Sequence, residues 1–271
     1  MPLRIVGIES ESSRILTQPP SKYHRIVDVS RHPGDLAMST RTLYELAGAD
    51  IERRFSPYCW RIRLALAHKG LDVDCVGWRM TDKDAIAFSG QGKVPVLVDG
   101  DEVISDSWKI ALYLEKTYPD APSLFGGDGG MPAVRFINAW ADTVVMPALA
   151  RMVMKDIPRH MTDRDAAYFR QSREERFGAP LEAVCANREQ EVEAFRQTLL
   201  PVRLALRSDP FLGGATPHYA DYSVFSPFQW ARCISDFPVL TADDPIAAWA
   251  GRMLDAFDGM AGKAPGYRIA A

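Results

Sequence analysis

The sequence predicts an α/β unit joined to an all-helical unit, and three observations lead there. Between residues 41 and 118 the apolar patterns run strand, helix, strand, helix, strand, strand, helix. A Pro- and Gly-rich stretch, Pro119-Asp120-Ala121-Pro122 and Gly126-Gly127-Asp128-Gly129-Gly130, interrupts that pattern. From Met131 onward the apolar spacing is helical throughout.

Taken in order, residues 1–37 mix Ser, Pro, Arg and acids without a stable period and read as a flexible extension. Met38 stands so close to the first convincing element that it is a candidate start codon. Arg41–Leu46 reads as a strand with Leu43 and Glu45 on opposite faces. A helix follows Ser56, with Trp60, Leu64 and Ala67 on one stripe, widened by Ile62, Ala65 and Leu66, and Gly70 as its stop. Val73–Trp78 is a second strand, and Ala85–Phe88 is helical or irregular. Val94–Val98 and Glu102–Ile104 form a hairpin around Asp99-Gly100-Asp101. Pro95 belongs at a strand entrance, where a cis bond would turn the Val94 backbone outward. Asp106 or Ser107 then caps a helix with Ile110, Ala111 and Leu114 at helical spacing, ended by Pro119. The unit is one sheet with helices on both faces.

Beyond the 120–130 linker, Phe136, Ile137, Trp140, Val144 and Ala148 mark one helical stripe. Val192, Phe195, Leu199, Val202 and Leu206 mark another, kinked at Pro201. Ala220–Cys233 and Pro245–Phe257 complete the helical half, which spans 131–260 and leaves 261–271 as a tail.

Composition narrows the function. The formal charge of -3 argues against a dedicated nucleic-acid binder. No apolar run reaches bilayer-spanning length, and no signal-peptide pattern is seen, so a cytoplasmic location is expected. Four scattered cysteines (Cys59, Cys75, Cys185, Cys233) form no disulfide framework, and five dispersed histidines form no metal motif.

The most informative stretch is Ser56-Pro57-Tyr58-Cys59-Trp60. A hydroxyl at the N-cap with proline behind it specifies a helix start. That start aims free N–H groups and the positive end of the helix dipole at whatever lies ahead, and a thiolate is one anion that would profit. Capping alone also accounts for the serine.

The ordered set of motifs resembles the glutathione transferase superfamily over roughly residues 41–260. Ser56-Pro57-Tyr58-Cys59 resembles its glutaredoxin-type motif, with serine in the first cysteine's place. Gly92-Lys93-Val94-Pro95-Val96-Leu97 is similar to the segment that pairs with the cysteinyl part of glutathione, and Asp106-Ser107 to the pair that meets the γ-glutamyl end. Phe211–Asp221 is similar to the family's helix start, with His218 as a poorer cap than Ser or Thr. Ser56-Pro57-Tyr58 with Trp60-Arg61, Asp106-Ser107-Trp108, Ser172-Arg173-Glu174 and Ala220-Asp221-Tyr222-Ser223 resemble bacterial β-aryl etherases and fungal etherase-type relatives.

The resemblance implies a thioredoxin-like glutathione-binding domain over 38–119 and an all-α C-terminal domain. It also implies glutathione as co-substrate and a homodimer. Ser56 would stabilise the thiolate; Val94 and Pro95 would present backbone to the tripeptide, Lys93 would reach its glycine carboxylate, and Asp106 and Ser107 its γ-glutamyl end. A small hydrophobic electrophile, β-aryl ethers among the candidates, would lie against Tyr58, Trp140, Met146 and Met152. Two other readings stay open: a thiol–disulfide or deglutathionylating enzyme using Cys59, and a glutathione-binding protein without turnover.

Overall fold

The computed structural model describes residues 41–127 and 129–270, so the 1–37 extension and the Met38 start lie outside the described residues. Strand β1 (Arg41–Leu46) leads through helix α1 (Pro57–His68) to β2 (Asp74–Trp78); a 3-10 segment (Lys83–Ser89), β3 (Val96–Asp99), β4 (Glu102–Ser105) and α2 (Ser107–Thr117) follow. The sheet order is β2-β1-β3-β4, with β1 parallel to β2 and antiparallel to β3, and β3 antiparallel to β4.

Leu43 pairs with Leu97 and both are fully buried, so this face of the sheet carries α1 and α2. Glu45 is buried as well. Residues two apart on a strand share a face, so the expectation of opposite faces for Leu43 and Glu45 is corrected, and a carboxylate enters the core. On the other face the 3-10 segment stands where a second helix was expected, its Phe88 ring 5.3 Å from Tyr44.

The α1 stripe forms as patterned, with Trp60, Ile62, Leu64, Ala65 and Leu66 buried, and Gly70 in the left-handed region where a side chain would be strained. What the pattern did not show is Arg61, fully buried on the same helix.

The helical half runs α3 (Met131–Trp140), a π-helical turn (Ala141–Val145), α4 (Met146–Val153), a 3-10 segment (Met154–His160), α5 (Asp163–Phe177) and α6 (Leu181–Val184). Then come α7 (Arg188–Thr198), α8 (Leu200–Ala205), α9 (Tyr219–Ile234) and α10 (Pro245–Gly259). The chain breaks between α7 and α8 at Leu199, next to the expected Pro201 kink. Along the run from α3 through the π-helical turn to α4 the buried stripe is Val134, Ala141, Val145 and Leu149, while Phe136 is 73 % exposed. The expected stripe through Phe136 is therefore rotated. Every residue of α9 but Arg232 is buried, which makes it the central helix against which α1, α3 and α4 pack.

Two stretches expected to be loose are docked. Leu124 is fully buried, its N–H donates to Glu115 and its carbonyl accepts from Tyr219 N at 2.9 Å. Within 261–270, Ala261 is buried and Tyr267 N donates to Arg232 O at 2.8 Å.

Candidate functional site

Ser56 is the N-cap of α1, with extended backbone and its Oγ accepting from Cys59 N at 3.3 Å; Pro57 occupies the first helical position. The cap uses an oxygen lone pair, so the hydroxyl proton is not consumed by it. Ser56 is 5 % exposed.

The sheet register gathers the expected residues at one end. Phe55 N bonds to Leu46 O, placing Ser56 at the C-terminal end of β1. The β3 pairing starts at Val96, which faces Tyr44 on one side and Ser105 on the other. Val94 and Pro95, just before β3, and Asp106 and Ser107, just after β4, therefore share that end with Ser56. The Val94–Pro95 peptide is cis, as anticipated, and Val94 lies outside the sheet ladder. Lys93 is exposed, and its N–H donates to Gln91 Oε1 at 2.8 Å. Asp106 caps α2, accepting from Lys109 N at 3.0 Å with a positive φ of 78°. Ser107 opens α2, buried, its carbonyl accepting from Tyr219 OH at 3.1 Å.

Tyr58 is 37 % exposed in the first turn of α1, its ring 5.0 Å from the Arg61 guanidinium. Burial and the Asp142 carboxylate push its hydroxyl pKa up, while Arg61 and Arg176 oppose them; Asp106 adds a smaller upward push. Trp140 and Met146 are half-buried on the α3–α4 run. Met152 is 1 % exposed inside the helical core, so its expected place in a substrate wall is corrected: its surface is already taken by neighbouring helices.

Arg61, given no role by its sequence position, joins the halves. Its Nε donates to Ser226 Oγ at 3.0 Å, its Nη1 to Asn138 Oδ1 at 3.0 Å, and both terminal nitrogens to Asp142. Asp142 lies in the π-helical turn, an irregularity that often marks functional regions. No local signal distinguishes Arg61 from a solvated helix arginine.

The His218 cap is compensated. The Asp221 carboxylate accepts from His218 N, Leu212 N, Gly213 N and Trp249 Nε1, at 2.7–3.0 Å. That bonding fixes the α9 start without a strong side-chain cap.

Cys59 is 1 % exposed; burial, reinforced by Glu45, pushes its thiol up to about 12. Among the described residues no group of three or more His, Cys, Asp or Glu is placed to hold a metal, and no helix is long and apolar enough to cross a membrane.

Comparison with known proteins agrees with this fold. The family model for the glutathione S-transferase N-terminal domain matches residues 51–122, and that for the C-terminal domain matches residues 134–255. Glutathione S-transferases Z1 and Z2 of Arabidopsis thaliana are 44% and 35% identical over 69 and 109 residues, which are 24% and 38% of this chain. Those alignments span only 31% and 47% of the two plant proteins. A glutathione S-transferase of Ceriporiopsis subvermispora, solved in complex with glutathione, superposes with TM-score 0.67 at 25% identity, covering 80% of this chain and 96% of that one. A glutathione transferase from Phanerochaete chrysosporium gives TM-score 0.65 at 24% identity over 82% of this chain and 93% of its own, a likeness of fold.

Proposed function

The chain belongs to the glutathione transferase superfamily, and from that premise we propose that it is a glutathione S-transferase in which Ser56 holds the glutathione sulfur as thiolate. The observation that carries this reading is the Ser56 cap, an oxygen placed at the positive end of α1 with its proton unused by the capping bond.

A free thiol has a pKa near 8.5, and holding it below 7 takes about 2 kcal/mol. One charge-assisted O–H···S bond together with the helix dipole is of that size. Val94, outside the ladder, offers N–H and C=O to the cysteinyl backbone as an added strand would. The Ser107 N–H at the α2 start suits the γ-glutamyl carboxylate, and the Asp106 carboxylate suits its ammonium group. Lys93, exposed beside Val94, is the cation for the glycine carboxylate.

The thiolate then attacks a small hydrophobic electrophile beside Tyr58, Trp140 and Met146. For a β-aryl ether, a carbon–sulfur bond forms as the carbon–oxygen bond breaks, and the phenolate leaves with the electron pair and takes a proton from water. The burial and raised pKa of Cys59 favour this reading over a disulfide-exchanging one. A homodimer and a cytoplasmic location belong to the same proposal.

The test is a thiolate absorbance titration of bound glutathione, followed by turnover of a chloronitrobenzene and a model β-aryl ether. A depressed thiol pKa that Ser56→Ala restores to its solution value supports the proposal. Binding with an ordinary thiol pKa would make the protein a carrier, and absence of binding would leave the fold alone.

A further inference from the structure

Beneath α1 lies a buried charge cluster that the proposed chemistry does not use. Glu45 is fully buried in β1, with Arg54 Nε 3.9 Å from Oε2 and Arg63 Nε 3.7 Å from Oε1. Neither carboxylate oxygen accepts a hydrogen bond from a nitrogen or hydroxyl donor among the described residues, leaving only the weak Cys75 thiol, and the buried Arg54 Nη1 has no acceptor there. Cys75, at the Leu43 position of β2, is the remaining polar neighbour. Room for the guanidinium comes from Gly77, opposite Glu45 on β2: a Cβ there would stand 1.9 Å from Arg54 Nη1.

Such a pair is a poor source of stability. Removing both ions from water costs more than attraction returns when no hydrogen bond completes the contact. Its location says what it does instead. Arg54 stands two residues before Ser56, in the connection between β1 and α1. Its side chain reaches back to Glu45 near the C-terminal end of β1, its carbonyl accepts from Trp60 Nε1 in the first turn of α1 at 2.9 Å, and its backbone bridges to Ala47. The residue therefore grips the strand behind the turn and the helix ahead of it.

We propose that the buried Glu45–Arg54 pair is a positioning device for Ser56, holding the strand-to-helix turn in the one arrangement that sets the serine hydroxyl at the head of α1. The functional part of this inference rests on the serine reading above; the geometric part does not.

Replacing the pair with apolar residues of similar bulk separates placement from stability. In full-length Glu45→Leu/Arg54→Met, the desolvation cost of both removed ions disappears while Arg63, its side chain 23 % exposed, loses its partner and turns to water, so the thermal midpoint stays close to that of the parent. Hydrogen exchange at the Cys59 amide, the donor to Ser56 Oγ, becomes at least about tenfold faster while sheet amides keep their protection. The thiol pKa of bound glutathione rises by at least about half a unit, a roughly threefold fall in its ionisation constant, while affinity for S-methylglutathione is unchanged. Should the double variant fail to fold, Arg54→Met alone, which leaves Glu45 its Arg63 partner, gives the same Cys59 and thiol readouts.

Unchanged Cys59 exchange overturns the proposal, as does a fall in thermal midpoint with exchange rising across the whole sheet. If the parent protein binds glutathione with an ordinary thiol pKa, the serine reading fails, and the Cys59 exchange rates still decide whether the pair positions the turn.

Discussion

Arg61 and Asp142 meet through two side-by-side hydrogen bonds, Nη2 to Oδ1 at 2.8 Å and Nη1 to Oδ2 at 3.2 Å. The first residue belongs to helix α1 of the α/β half and the second to the π-helical turn of the helical half. The Arg61 side chain is fully buried and Asp142 about a third exposed, so the guanidinium carries the desolvation and the carboxylate keeps water. Tyr58 rests against that guanidinium, so the pair also supports the ring in the first turn of α1.

Arg61→Met is therefore expected to destabilise the fold by about 3 kcal/mol, because Asn138, Asp142 and Ser226 lose a shared donor set. Denaturant unfolding measures it. Arg61→Lys should recover only part of the loss, since an ammonium cannot reproduce the two-pronged contact.

The Ser56 cap has its own stability signature. Ser56→Ala removes the acceptor for Cys59 N and should cost about 1 kcal/mol in thermal or denaturant unfolding, separately from any effect on the thiol. Ser56→Asp should keep the cap and lose thiolate stabilisation, because a carboxylate accepts but does not donate.

Asp221→Ala leaves three backbone N–H groups and the Trp249 indole without their acceptor in a buried setting. A loss of about 3 kcal/mol is expected. Indole fluorescence should report it, since Trp249 is fully buried.

The cysteines should be silent toward thiol reagents. Cys59 and Cys233 are buried, with their thiols pushed up to about 12 and about 11, and burial raises Cys75 and Cys185 too. Mass spectrometry after brief alkylation at neutral pH should find all four unmodified in the native protein and all four modified in denaturant.

Acid should weaken the fold through His68. Burial and the neighbouring His218 hold its imidazole below the usual value of 6.5, with Lys69 adding a smaller push the same way. Its Nδ1 lies 2.7 Å from Tyr222 OH, and the Ser123 and Pro217 backbones oppose the downward push without cancelling it. The unfolded chain takes up this proton first as pH drops. Stability is thus untouched above about 6.5 and declines below it until the folded-state pKa is passed. Unfolding midpoints at about pH 7.5 and about pH 5.5 should differ less in His68→Gln than in the parent. Part of the difference should persist, because burial lowers His160 as well.

The residues that could be read from sequence alone act locally. The Ser56-Pro57 start, the Gly70 stop, the Gly100 turn and the Asp106 cap each follow from the backbone preference of one or two residues, and each is where the sequence placed it. Glu45 and Arg61 were illegible because their roles depend on partners far along the chain; a charged side chain in an amphipathic pattern reads as solvated. Phe136 misled for the opposite reason, an apolar side chain left exposed. α5 was passed over as an element because its outer surface is dominated by charge and its buried residues are few. At the site, the serine and the two backbone segments were legible as motifs, whereas Asp142 and Arg176 reach Tyr58 only through packing of the two halves.

The stretch between the halves, with Leu124 sunk in the interior and bonded at both its amide and its carbonyl, is a structural member and not a tether. Chimeras that exchange the helical half for a relative's would have to carry residues 120–126 along with their receiving surface. A graft made at the glycines alone would set the native Leu124 against a foreign α9 start, and the seam would show as a loss of cooperativity in melting.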